Sequence, residues 1–290
     1  MDLKESLNKK SFVVTSEIQP PIETDVKELL NNIERIRGRL DGVTVPEVEL
    51  EGIVTDTIGT CKVLKDNKFD PILQTSCREK NRLDIQSHLL NASDKGVKNI
   101  LAFTADYRIT GDSLQEMMFF HVDSSKLFSV VDNLKEGQNV AGKEVEKRAE
   151  FFVGSGIDAA AGKNIPDLAL KEMEEMVKLG TGYFLTTPVF DLDEFHKFMK
   201  RVQPFGIPVV AEVILVRTAG MAHFINSHIK RGLVPGNIIQ KLAKAPEKER
   251  ASIEIFTDII KGLKDICQGV HLIPIGFEDK IPKFLDAAKL

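Results

Sequence analysis

Short apolar runs alternate with longer stretches of helical periodicity along the whole chain. We predict eight strands, at 12–18, 42–46, 71–77, 99–106, 150–157, 182–190, 208–215 and 269–276. We predict helices near 24–38, 53–66, 81–95, 124–136, 166–179, 191–203, in pieces over 218–262, and at 278–289. The strands are almost continuously apolar, which is typical of parallel strands covered on both faces. Eight strand–helix repeats predict an α/β fold, a closed (β/α)8 TIM barrel, with residues 1–290 as a single domain.

Local helix and turn signals support the predicted barrel, and a second architecture is compared with it. Pro166 lies in a first helical turn, where its missing N–H costs little. The region 216–250 is predicted to be broken helix with a turn at 234–236, and 107–123 to be a long loop after the fourth strand. A doubly wound open sheet is the competing architecture. It often carries a glycine fingerprint after its first strand, where this chain has Pro20-Pro21 instead.

Composition and charge narrow the class of protein. Charged residues make up 28% and apolar residues 42% of the chain, as in ordinary soluble globular proteins. The net charge of −4 and the shortness of the basic runs give no support to a nucleic-acid surface. No stretch approaches the roughly 18 apolar residues of a membrane span, and the first residues lack the apolar core of a signal peptide. We therefore expect a cytoplasmic protein with no nucleic-acid or membrane partner.

The cysteines, histidines and glycines suggest neither a metal nor a Walker site. The three cysteines are far apart and show no zinc-ligand spacing, and their small odd number fits a reducing compartment. His223 and His228 are five residues apart, so they do not share a helix face as a metal pair would. The segment 154–164 resembles a phosphate loop, but its glycine spacing is one residue too long and Asn164 follows its lysine.

Chemistry in a parallel barrel lies at the carboxyl ends of the strands, so polar residues there are candidates for the site. The first strand runs into Glu17 and is then stopped by two prolines, which cannot donate to a ladder. The apolar run 101–103 leads towards Asp106. We predict functional roles for both carboxylates and a structural role for His271, and Glu212 is either functional or a paired interior charge. The other polar residues near strand ends are Glu47, Gln74, Ser76, Cys77, Ser155, Asp158, Thr186 and Thr187.

Five segments resemble motifs of the methylenetetrahydrofolate reductase family. SEIQPP at 16–21 is similar to the family's Ser-Phe-Glu-Phe-Phe-Pro-Pro, and LAFTAD at 101–106 is similar to Leu-Ala-Leu-Arg-Gly-Asp. TSCR at 75–78 resembles His-Leu-Thr-Cys, LTTPVFD at 185–191 resembles Thr-Gln-Pro-Val-Phe-Asp, and GVHL at 269–272 resembles the closing strand. The segments occur in order along nearly the whole chain, and the family fold is likewise an α/β barrel.

The resemblance implies a flavin-dependent enzyme of one-carbon metabolism and methionine biosynthesis, which reduces 5,10-methylenetetrahydrofolate to 5-methyltetrahydrofolate. It implies that Glu17 is the general acid towards N10 and that Asp106 stabilises the iminium cation. Two carboxyl groups with different pKa values suit these two roles. The implied cofactor is FAD, with FMN as the alternative, and no metal is implied. The implied flavin contacts are Pro46, Gln74, Ser76, Cys77, Thr104, Ala105, Asp106, Gly154 and Ser155. The implied substrate contacts are Gln19, Thr187 and Phe190.

The sequence departs from the family pattern at several of these positions. Gln74 replaces a histidine, Thr104 an arginine, Ala105 a glycine and Thr187 a glutamine, and a lysine common in the family's helix before the sixth strand falls near Met176. Two alternatives therefore stay open: a barrel subunit of a larger electron-transfer complex that needs a partner for turnover, and a flavin-free folate-linked methyl transferase. The implied electron donor is NAD(P)H or a protein. A small zinc-containing subunit and further copies of the chain are the implied partners.

Overall fold

The computed structural model describes residues 1–20, 26–47, 49–50, 53–76, 80–103, 124–146, 148–159, 167–228 and 233–290. The strands are β1 Val13–Glu17, β2 Gly42–Val45, β3 Glu49–Leu50, β4 Ile53–Val54, β5 Pro71–Ser76, β6 Asn99–Phe103, β7 Phe152–Ile157, β8 Tyr183–Pro188, β9 Val209–Ile214 and β10 Gly269–Ile273. All but β3 and β4 close into a parallel barrel in chain order, with β10 pairing with β1. The predicted TIM barrel is thereby confirmed, and each of its eight strands overlaps a predicted strand.

One helix precedes the first barrel strand, and at least one helix follows each barrel strand, as expected for this fold. The helices are α1 Leu3–Lys9, α2 Lys27–Arg35, α3 Thr57–Asp66, α4 Arg82–Asp94, α5 Ser124–Lys135, α6 Asp167–Lys178, α7 Leu192–Val202, α8 Ala219–His228, α9 Gly236–Lys244, α10 Lys248–Leu263 and α11 Ile281–Ala288. The broken helix predicted after the seventh barrel strand is confirmed, since Pro235 is the N-cap of α9. The predicted loop 107–123 lies outside the described residues.

Three local features differ from the prediction. The helix predicted to begin at 53 begins at Thr57, because the Asp56 side chain accepts a hydrogen bond from the Gly59 N–H and caps α3 there. Two residues of the predicted helix instead form β4, which pairs antiparallel with β3. The helix α1 was not predicted, because its seven residues contain only two leucines and are too short to show a helical repeat of apolar positions.

The helix α1 closes the amino end of the barrel. Leu3 and Leu7 are buried and belong to the same apolar cluster as Val13 and Leu101, which project from the strands into the barrel interior. The Leu3 N–H donates to Asp70 Oδ2 at 2.8 Å, and Asp70 directly precedes β5. Because the amino end is filled in this way, the carboxyl ends of the strands are the expected place for chemistry, as in other barrels of this kind.

The core therefore has two parts. The smaller part lies inside the barrel and contains α1, while the larger part lies between the strands and the surrounding helices. Within the described ranges, no helix has the length and apolar character needed to cross a membrane.

Candidate active site

Glu17 is the last residue of β1 and lies at the carboxyl end of the barrel. The Ile18 N–H donates to the Thr44 carbonyl oxygen at 2.9 Å, which holds this end of β1 against β2. Glu17 is half-buried. Burial, and secondly the charge of Glu278, raises the pKa of Glu17 to about 7. A carboxyl group with this pKa exchanges its proton near neutral pH, which suits a general acid.

The segment between β10 and α11 brings Glu278 to this site. The Gly276 N–H donates to Glu278 Oε1 at 3.0 Å. The guanidinium of Arg217, which follows β9, lies 5.2 Å from the centre of the Phe277 ring. Ile275 has a φ of 28°, a strained conformation for a β-branched residue, and such strain is concentrated at functional sites. Sequence reasoning singled out none of these residues, because nothing in the sequence places this segment beside β1.

A polar layer crosses the barrel interior on β1, β10 and β9, one step below Glu17. Thr15 pairs in register with His271, and His271 pairs with Glu212. Thr15 Oγ1 lies 2.9 Å from His271 Nδ1. Burial lowers the pKa of His271 to about 3, so its ring is neutral. The structure therefore gives His271 a buried position and a hydroxyl partner, as the predicted structural role requires.

Glu212 is the third member of this layer and is only 2% exposed. The register of β8 against β9 shifts between Leu185 and Pro188, and the Glu212 N–H donates to the Thr186 hydroxyl oxygen at 3.1 Å. Burial, and secondly the charge of Glu17, raises the pKa of Glu212 well above its ordinary value. Among the described residues Glu212 Oε1 has no hydrogen-bond partner and no ion pair includes Glu212. Burial of this kind favours the neutral carboxyl over a paired charge.

Glu47 and Lys80 form an ion pair at the carboxyl ends of β2 and β5. Lys80 Nζ lies 2.5 Å from Glu47 Oε1 and donates to the Ser76 carbonyl oxygen at 3.2 Å. The Ser76 N–H donates to Glu47 Oε2 at 3.1 Å. The backbone N–H of this predicted flavin contact therefore already has an acceptor within the protein. Lys80 is the cation that sequence reasoning missed, since only the fold places it beside Glu47.

Gly154 and Ser155 occupy opposite faces of β7. A Cβ on Gly154 would lie 2.2 Å from the Tyr183 ring, so the glycine makes room for that ring inside the barrel. Ser155 is 1% exposed, and its Oγ lies 2.8 Å from Thr181 Oγ1. Both predicted flavin contacts thus have a role in packing or hydrogen bonding within the protein.

Two of the predicted substrate contacts also have partners within the protein. The Thr187 hydroxyl donates to Asp158 Oδ1 at 3.0 Å and accepts from the Ala159 N–H at 3.1 Å, which ties the loop after β7 to β8. The ring of Phe190 lies edge-on to Phe256 of α10, 6.2 Å between centres.

The remaining predicted site residues divide into two groups. Gln19 is exposed, Gln74 is half-buried on β5, and Pro46 is buried directly after β2, so all three lie at or near the carboxyl end. Cys77, Thr104, Ala105 and Asp106 lie outside the described residues. In the described part of the chain, no three His, Cys, Asp or Glu side chains are grouped as a metal site requires.

The closed parallel barrel, with a titratable carboxyl group at its carboxyl end, defines the class of α/β-barrel proteins and places the candidate site at that end. The family model for methylenetetrahydrofolate reductase matches residues 2–289, and the chain belongs to that family. No curated protein sequence matches the chain.

Solved structures of other proteins share the fold. An uncharacterized protein from Clostridium thermocellum, described as binding two copies of 5-methyl-5,6,7,8-tetrahydrofolic acid, is 15% identical, with a TM-score of 0.64, over 100% of this chain and 98% of that one. A 2,3-dimethylmalate lyase is 9% identical, with a TM-score of 0.52, over 99% and 87%. A phosphoenolpyruvate phosphomutase from Streptomyces platensis subsp. rosaceus is 10% identical, with a TM-score of 0.53, over 98% and 84%. At these identities the likeness concerns the fold alone.

Proposed function

We propose that this protein reduces 5,10-methylenetetrahydrofolate to 5-methyltetrahydrofolate. Membership of the family supports a folate-metabolising enzyme, and the similar Clostridium thermocellum protein is described as binding a folate. The observation that carries the proposal is Glu17, a carboxyl group at the carboxyl end of the barrel with a pKa of about 7. The reaction needs an acid that delivers one proton near neutral pH, and Glu17 has that property.

In this proposal Glu17 gives its proton to N10 of the folate, and the five-membered ring opens to an iminium cation. The Glu17 carboxylate that results is itself a negative charge close to the cation. Asp106, which lies outside the described residues, is proposed to supply a second negative charge. The assignment follows the general rule that two carboxyl groups in different environments divide the acid and charge-stabilising roles.

A flavin, FAD or FMN, is the proposed cofactor, and when bound it supplies the hydride that the iminium carbon receives. Pro46 follows β2 and Gln74 lies on the neighbouring β5. An apolar ring beside an amide fits a flat heterocycle with polar edges. Gly154 and Ser155 fit less well, since the Tyr183 ring fills the space beside one and Thr181 binds the hydroxyl of the other. The electron donor is proposed to be NAD(P)H or a partner protein.

The test combines a spectrum with a variant of the full-length chain. The purified protein should show a flavin absorption spectrum and release FAD or FMN on denaturation. With a chemical electron donor under anaerobic conditions it should reduce methylenetetrahydrofolate. Glu17→Gln should lower kcat by about 10²–10⁴-fold, as expected when a general acid is lost, without loss of flavin. Glu34→Gln, on the exposed side of α2, is the matched control and should retain full activity.

Three results would contradict parts of this proposal. A colourless chain that takes up neither FAD nor FMN would favour a flavin-free folate-linked methyl transferase. Full activity of Glu17→Gln would remove the acid role. A flavin-loaded chain that reduces the substrate only after addition of a partner protein would favour a subunit of a larger electron-transfer complex.

A further inference from the structure

Glu212 is a buried carboxyl group for which the packing of the barrel gives no reason. The interior layers of a TIM barrel are usually filled by branched apolar side chains. Here the layer below Glu17 contains the polar side chains of Thr15, His271 and Glu212, one on each of three adjacent strands. Glu212 Oε1 is shielded from solvent and has no hydrogen-bond partner in the described residues. A native protein rarely leaves a buried polar atom unsatisfied without a functional reason.

Within the part of the chain that the structure describes, the groups around Glu212 offer it no compensating positive charge. Its register neighbour on β10 is His271, whose ring is neutral and whose Nδ1 lies 2.9 Å from the Thr15 hydroxyl of β1. The charge of Glu17, also on β1, disfavours ionisation of Glu212. From β8 the Thr186 hydroxyl binds the backbone N–H of Glu212 rather than its carboxyl group. Glu278, beyond Glu17, adds another negative charge. An isolated carboxylate in such surroundings is costly, and the group takes up a proton instead.

We infer that Glu212 is a positioning residue that holds a proton beneath Glu17, so that the two carboxyl groups carry at most one negative charge between them at neutral pH. The inference rests on the proposed function, in which Glu17 must release its proton to the substrate. An ionised Glu212 would oppose that release, because a second carboxylate would then form beside the first. With its proton in place, Glu212 keeps Glu17 acidic enough to act near neutral pH.

Infrared spectroscopy of the purified full-length chain, without substrate, tests the proton directly. At about pH 9, roughly two units above the pKa of Glu17, the carbonyl stretching band of a protonated carboxyl group should persist. Glu212→Gln should remove this band, and the exposed Glu34→Gln should leave it unchanged. Absence of the band from the wild-type chain, or its survival in Glu212→Gln, would overturn the inference.

Glu17→Gln provides a second measurement that needs no variant at Glu212. The charge of Glu17 opposes ionisation of Glu212, so without that charge the band should disappear at a lower pH than in the wild-type chain. An identical titration in both proteins would show that the two groups are not coupled. This arm stays decisive if Glu212→Gln fails to fold.

The pH profile of catalysis distinguishes this role from a purely structural one. Because a neutral amide replaces a neutral carboxyl group, Glu212→Gln should leave the alkaline limb of kcat within about half a pH unit of its wild-type position. A fall of about one unit or more would mean that Glu212 is ionised in the native protein, against the inference. If the wild-type chain has no reductase activity but the infrared results are as expected, the proposed function is wrong. The inference that Glu212 holds a proton beneath Glu17 is then still supported.

Discussion

Asp41 and Asp70 at the amino end of the barrel have different surroundings from Glu17 and Glu212 at the carboxyl end. At the amino end, Asp70 accepts hydrogen bonds from the Leu3 N–H and the Asn99 amide, both at 2.8 Å, and lies 3.6 Å from Lys65 Nζ. Asp41 there accepts from the Val14 N–H and from Lys10. At the carboxyl end Glu47 is likewise paired, with Lys80, but burial raises the pKa of both Glu17 and Glu212.

The contrast separates stability from chemistry within one fold. A carboxylate that accepts several hydrogen bonds ties neighbouring segments together, whereas a desolvated carboxyl group without such partners is held close to protonation. The amino end thus contributes to folding, and the carboxyl end keeps groups that can exchange protons. Variants at the two ends should accordingly change different properties, and the following predictions are ordered from the largest expected effect to the smallest.

Leu3→Ala should destabilise the protein by about 2–5 kcal/mol, because it opens a cavity where α1 fills the barrel. Chemical denaturation measures this, and the kcat of the folded fraction should stay at the wild-type value. The control is Leu83→Ala, since Leu83 is 63% exposed. A loss no larger than in the control would mean that α1 does not close the barrel.

At the carboxyl end, Glu17 should make the free energy of unfolding depend on pH. The folded-state pKa of Glu17, about 7, is above its ordinary value of 4.5, so the folded state binds this proton more tightly than the unfolded state. The resulting stability is fully present below about pH 4.5 and is lost as the pH rises through about 7. Between about pH 4 and pH 8, the wild-type chain should lose up to about 3 kcal/mol that Glu17→Gln does not lose. Parallel stability curves of the two proteins would refute this.

Asp70→Ala should cost about 1–3 kcal/mol, because it removes the acceptor of the Leu3 N–H and one of the two acceptors of the Asn99 amide. Activity of the folded protein should not change. Asp66→Ala is the matched control: Asp66 forms an exposed pair with Lys62 on α3, and its loss should cost less than about 0.5 kcal/mol. An equal loss of stability in the two variants would show that Asp70 does not help to close the amino end.

The sequence predicted the barrel because its strands are almost continuously apolar runs, such as 269–273, separated by segments of helical periodicity. It missed α1, whose burial depends on contacts with strands far along the chain. It also missed β3 and β4, since strands of two residues leave no periodic signal.

The candidate site was predictable only in part. Glu17 stands out because prolines follow a strand that ends in a carboxylate. The proximity of Thr15, His271 and Glu212 follows from the register of β1, β10 and β9, and no local pattern reports that register. Similarly, Ser155 resembles a ligand contact in the sequence, yet it lies on the face of β7 where Thr181 binds its hydroxyl.

The closure of the amino end by α1 has a consequence for the order of folding. Leu3 and Leu7 share a cluster with Tyr183 and Val210, which lie on strands about 180 to 200 residues further along the chain. The leucines gain these contacts only after the barrel strands have assembled, and distant contacts of this kind form slowly. Substitutions in α1 should therefore accelerate unfolding and leave the folding rate almost unchanged, so that the first helix in the chain is among the last parts to reach its native place.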